Sequence, residues 1–170
     1  MLEKSRIQAV AWTTLALSLP PGLTLLSGCT EQPEQRAMPA QPLDETFKDF
    51  GNYEVHYNAL RTDELTADVA RTYGIQRSAN RVMLNVTVLH KEAEHAPRKP
   101  VEATVTVDAY NLTGQLKDLE LRRVSEGEAI YYIGDVSIAG SEILVFDISV
   151  VPGGETQPFN VKLKREFVSN

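Results

Sequence analysis

Val101-Glu102-Ala103-Thr104-Val105-Thr106-Val107-Asp108-Ala109 alternates apolar and polar residues without a break. Successive side chains of a strand point to opposite faces, so this period of two predicts a strand with Val101, Ala103, Val105, Val107 and Ala109 turned toward a core. The pattern recurs on both sides. Upstream, Tyr53, Val55, Tyr57 and Ala59 share one face while Glu54, His56 and Asn58 share the other; Val82, Leu84, Val86 and Val88 repeat the arrangement. Downstream, Leu119 and Leu121, then residues 130–138, 143–151 and 159–167, mark further strands.

Glu126-Gly127, Ala139-Gly140-Ser141 and Pro152-Gly153-Gly154 supply turns between these runs, because glycine reaches positive φ and proline presets a turn's first corner. The expected fold is all-β, a meander of about seven strands closed as an immunoglobulin-like or fibronectin-like sandwich. The cysteine and tryptophan hallmarks of immunoglobulin domains are missing, since Cys29 and Trp12 both precede the strands. Ile143-Leu144-Val145-Phe146-Asp147-Ile148-Ser149-Val150-Val151 is the most apolar run, which places Leu144, Phe146, Ile148 and Val150 at the centre of the core. Lys162 and Lys164 fall on the solvent face of the last strand, where lysines discourage pairing with another sheet edge.

Residues 61–80 break the rhythm. Thr66 can cap a short helix, Asp68 suits its positive end and Gly74 can close it, so one helix is expected after the first strand, with Leu65, Val69 and Tyr73 facing the sandwich. A connection this long either plugs an open end of the sandwich or serves as a contact surface. Arg61, Arg71, Tyr73 and Arg77 are the residues expected at such a surface, because arginine and tyrosine are enriched at interface hot spots.

At the other end of the chain, Lys4 and Arg6 precede a largely apolar segment that runs to Leu26-Ser27-Gly28-Cys29. A basic start, an apolar middle and small residues before the cut are the layout of a secretory signal. Pro20-Pro21-Gly22 inside the segment argues against a membrane-spanning helix. Leu26-Ser27-Gly28-Cys29 resembles the lipobox of bacterial lipoproteins. That resemblance implies cleavage between Gly28 and Cys29, a diacylglycerol on the Cys29 thiol, and a palmitate-type acyl chain on the new amino terminus. With Thr30 next, it also implies an outer-membrane destination facing the periplasm. The expected organisation is a signal at 1–28, a lipidated cysteine with a proline-rich tether at 29–46, and a β-sandwich domain at 47–170.

The chain carries a net charge of −6, and removal of Glu3, Lys4 and Arg6 with the signal shifts it one unit further negative. An acidic surface repels phosphate backbones, which excludes nucleic acid as a partner class. A single cysteine allows no disulfide framework within one chain, so the domain must be held by its core.

Phe50-Gly51-Asn52-Tyr53-Glu54-Val55-His56-Tyr57-Asn58-Ala59-Leu60, Val69-Ala70-Arg71-Thr72-Tyr73-Gly74-Ile75 and Leu84-Asn85-Val86-Thr87-Val88 resemble a domain family of unknown function in Gram-negative envelope proteins. Asn111-Leu112-Thr113-Gly114-Gln115 and Glu128-Ala129-Ile130-Tyr131-Tyr132 extend the resemblance over about residues 47–168. No activity is assigned to that family, so the resemblance carries over no catalytic residue, and no cofactor is expected. The residues themselves show no Gly-x-Ser-x-Gly elbow and no phosphate-cradling glycine loop, so the domain is expected not to be an enzyme.

The expected function is that of a lipid-anchored binding or accessory module contacting another envelope protein or the cell wall. The competing expectation is a metal- or small-ligand-binding protein. His90, Glu92, Glu94 and His95 are four metal-capable side chains within six residues, on a loop whose spacing matches no closed zinc site.

Overall fold

The computed structural model describes residues 45–93 and 95–169. The expected lipobox with Gly28 and Cys29, the expected tether up to residue 44, and Glu94 lie outside the described residues. Ten strands occur among them: β1 (Phe47–Asp49), β2 (Tyr53–Arg61), β3 (Arg81–His90), β4 (Lys99–Pro100), β5 (Ala103–Asn111), β6 (Leu116–Lys117), β7 (Arg122–Glu126), β8 (Ala129–Ser137), β9 (Ser141–Pro152) and β10 (Phe159–Val168). A 3-10 turn (Thr62–Glu64) and helix α1 (Ala67–Thr72) separate β2 from β3.

The strands form two antiparallel sheets. The first has the order β1-β2-β3-β8-β7, with β4 also pairing β3, and the second has the order β10-β9-β5-β6. Their inner faces share one core that includes Val82, Leu84, Val86 and Val88 from the first sheet and Leu144, Phe146, Ile148 and Val150 from the second. The fold is therefore the expected all-β sandwich, with the expected central strand, but not the expected meander, because β8 pairs with β3 and β9 with β5 across intervening strands. The strands beyond seven are the two- and three-residue pieces β1, β4 and β6, too short to carry a period.

Leu119 and Leu121 are a correction: they lie between β6 and β7 in a segment without strand structure. Both still pack on the core, but the backbone crosses from one sheet to the other by running over Gly134 of β8. A Cβ at residue 134 would sit 2.5 Å from the Glu120 carbonyl oxygen and 2.7 Å from Leu119 Cδ1. Glycine is thus required there by close approach of backbone to backbone.

The opposite seam between the sheets is closed by cations. Lys48 Nζ donates to the Asn160 carbonyl at 3.2 Å, Arg165 Nη1 donates to the Ala59 carbonyl and to Asn58 Oδ1, and Arg61 Nη1 donates to the Val168 carbonyl. These side chains satisfy edge carbonyls of β2 and β10 that would otherwise be open to another strand.

Candidate functional site

Residues 62–80 cover part of the outer face of the six-stranded sheet rather than an open end of the sandwich. Met83 and Ile133 point outward by alternation, and Ile75 packs on them to form a second apolar cluster bordered by Leu60, Leu65, Tyr73, Val124 and Tyr131. The helix forms as expected: Thr66 Oγ1 accepts from Val69 N at 3.3 Å, and Gly74 follows with φ +61°. Its inward residue is Ala70, not Val69, which is exposed. Buried Thr62 pins the segment shut by donating to the Gln76 carbonyl at 2.8 Å and accepting from Ser78 N at 2.9 Å.

Most of the residues expected at a contact surface here serve the fold. Arg61 Nε lies 3.2 Å from Asp63 and 3.4 Å from Glu64. Arg77 donates to the Asp63 carbonyl at 2.7 Å. The Tyr73 hydroxyl donates to Glu126, and that bond, helped by burial, pushes its phenol up to about 12. Arg122 reaches across from β7 to the Tyr73 carbonyl. Arg71 differs, being exposed and paired with Asp68 at 3.0 Å.

A second constellation lies nearer the β3–β4 hairpin. Glu54 is a buried carboxylate, 5% exposed, on the outward face of β2. Arg98 Nε donates to its Oε1 at 3.0 Å and His56 Nε2 lies 3.1 Å from its Oε2. The His56 hydrogen bond, and then Arg98, hold the Glu54 carboxyl below the usual carboxylate range against the opposing effect of burial. Phe47 of β1 stacks on His56 with ring centroids 5.3 Å apart, and Lys91 pairs with Asp49. This arrangement is a clasp between β1, β2 and the hairpin.

The described residues of the loop that carries the competing metal-binding expectation, His90, Glu92 and His95, do not converge. His90 turns toward the Tyr53 ring, 5.0 Å away, Glu92 pairs with Lys99 at 2.7 Å, and His95 is exposed. Among the described residues no three His, Cys, Asp or Glu side chains converge to hold an ion.

The outer face of the four-stranded sheet carries a third constellation, in a shallow groove of about 380 Å³. Strand register sets Asp108 of β5, Asp147 of β9 and Lys162 of β10 side by side in one row, with Thr106, Ser149 and Asn160 in the next. Lys162 Nζ lies 2.8 Å from Asp147 Oδ1. The Tyr110 hydroxyl donates to Asp147 Oδ2 at 2.8 Å, and Lys162 Nζ stands 5.9 Å from the Tyr110 ring centroid. Lys162 holds the Asp147 carboxyl low, and Asp147, with Tyr110, holds the Lys162 ammonium high.

The fold and these sites can be set beside known proteins. The family model described as domain of unknown function DUF4426 matches residues 47–169. The chain belongs to this family. A DUF4426 protein of Pseudomonas aeruginosa PAO1, known from a crystal structure, is 37% identical, with a TM-score of 0.62 over 75% of this chain and 97% of that one. Two FetP structures from uropathogenic Escherichia coli strain F11 share the fold at 11% and 12% identity, each with a TM-score of 0.52. They cover 75% and 73% of this chain and 95% of theirs; one is FetP as isolated after expression in the periplasm of Escherichia coli, the other a copper-bound variant. No curated protein matches the sequence.

Alternation puts Lys162, and Asp147 between the inward Phe146 and Ile148, on the solvent face, but it does not join them to Tyr110. The signal is available only as strand register, since Tyr110 lies on β5, Asp147 on β9 beyond three intervening strands, and Lys162 on β10. Glu54 and Arg98 were missed for a similar reason: alternation marks Glu54 as outward, and its burial comes from a hairpin distant in sequence.

Proposed function

We propose that this DUF4426 domain is a non-catalytic binding module, held at the periplasmic side of a Gram-negative envelope by acyl chains on Cys29, with the outer face of β10-β9-β5-β6 as its binding surface. The observation that carries this reading is the contrast between the two sheets. Residues 62–80 and the Glu54 clasp occupy the outer face of one sheet, while the other presents an open polar groove, with Lys48 of β1 at its margin and Tyr110 hydrogen-bonded to its Asp147. Concave surfaces with a few convergent polar groups and an aromatic ring are where ligands and partners settle.

The titrating groups support binding rather than acid–base chemistry. General catalysis works best with a pKa near the working pH, whereas Asp147 is moved down and Lys162 up, both away from neutrality. Glu54 is moved down as well. The lipobox and the shared fold with a protein expressed in the periplasm support the location.

The metal-binding alternative draws on the copper-bound FetP variant, a likeness of fold at 12% identity. It is supported less, because His90, Glu92 and His95 point to different surroundings.

The test is capture from detergent-solubilised envelopes by the full chain and by Lys162→Ala. The parent should retain a component that the variant loses. Equal capture by both would remove the groove from the account. For the anchor, Cys29→Ser should accumulate as unprocessed precursor without lipid, and normal processing of that variant would contradict it.

A further inference from the structure

Resting on the groove as binding surface, we propose that its ligand is an uncharged polyhydroxylated chain, a neutral glycan of the envelope. Charge is the first argument. The chain as a whole carries −6, yet the groove is lined by two lysines, Lys48 and Lys162, and two aspartates, Asp108 and Asp147, so it has no net charge. Asp147 and Lys162 neutralise each other at 2.8 Å. Beside that pair, an anionic ligand would meet Asp108 and a cationic one Lys48, and either would be stripped of water against a like charge that the Asp147–Lys162 pair does not offset. A neutral ligand meets neither cost.

Hydrogen-bonding character is the second argument. The register rows bring Thr106 and Ser149 hydroxyls next to the Asp108, Asp147 and Lys162 row. Sugar hydroxyls and acetamido groups both donate and accept, which suits a floor that mixes carboxylate acceptors, an ammonium donor and hydroxyls. Tyr110 adds an aromatic body with a polar tip at one end, and its hydroxyl is already fixed by Asp147 at 2.8 Å. That bond holds the ring in place before binding, so less freedom is lost when an apolar sugar face settles on it.

The experiment is titration calorimetry of the detergent-solubilised full chain with the tetramer of N-acetylglucosamine, which is uncharged, and separately with the tetramers of galacturonic acid, anionic, and glucosamine, cationic. The neutral tetramer should bind, the charged ones about tenfold more weakly or worse, and Tyr110→Ala should weaken the neutral one by about tenfold. Asp108→Lys changes an exposed side chain, gives the groove a net charge of about +2, and should turn the preference toward the anionic tetramer. Equal affinity for all three tetramers, or an unchanged preference in Asp108→Lys, would overturn the proposal. Absence of neutral-tetramer binding while Lys162→Ala still loses a captured envelope protein would also overturn it, leaving the groove as a protein-binding surface. Failure of both measurements would remove the groove reading along with the glycan.

Discussion

Arg98 Nε donates to Glu54 Oε1 across 3.0 Å, tying the hairpin after β3 to the first long strand through a carboxylate that water barely reaches. A buried charge is tolerable when paired and hydrogen-bonded, and costly when one partner is removed. Arg98→Ala leaves Glu54 facing His56 alone on that side and should lower stability by roughly 1–3 kcal/mol. Chemical denaturation of the variant checks the loss.

The same carboxylate sets a pH dependence. Glu54 has a lower pKa folded than its ordinary value of 4.5, through His56 and Arg98. Its contribution is therefore complete above that ordinary value and is lost as pH falls through the lowered folded value. Glu54→Gln should be less stable than the parent at neutral pH, and the gap between the two melting temperatures should shrink below about pH 4. A gap that stayed constant down to strongly acidic pH would contradict the ionised pairing.

Gly134→Ala should destabilise the domain by roughly 1–3 kcal/mol, because the new Cβ meets backbone at residue 120 rather than a flexible side-chain end. Differential scanning calorimetry checks it.

Phe146 is fully buried at the centre of β9, and Phe146→Ala should cost about 3–5 kcal/mol through lost transfer energy and the cavity left behind. Arg71→Ala, by contrast, breaks an exposed ion pair between neighbouring turns and should stay within about 0.5 kcal/mol of the parent. Thermal melts of the two variants give the comparison.

The core was legible in the sequence because it depends on alternation within single strands. Val82, Leu84, Val86 and Val88, like Leu144, Phe146, Ile148 and Val150, read inward by period and are buried. The Thr66 cap and Gly74 end of the helix were equally local signals. What escaped was set between strands. The stretch at Val101, Ala103, Val105 and Val107 has the cleanest alternation yet is only partly covered, because β6 pairs with β5 at Ala109 and Tyr110 and leaves the rest of that edge open. Leu119 and Leu121 alternate without being a strand, because burial at a sheet crossing produces the same two-residue spacing. The groove at Asp108, Asp147 and Lys162 required the register of β5, β9 and β10, which no single-strand pattern specifies.

Which outer face of the sandwich meets the envelope is read directly by photo-crosslinking in intact cells. A photoreactive side chain replacing Ser149, on the open face of β9, should give a higher-mass adduct. The same group at Asp68, on the exposed side of α1, should give none. Adducts from residue 68 and none from residue 149 would contradict the assignment of the binding surface.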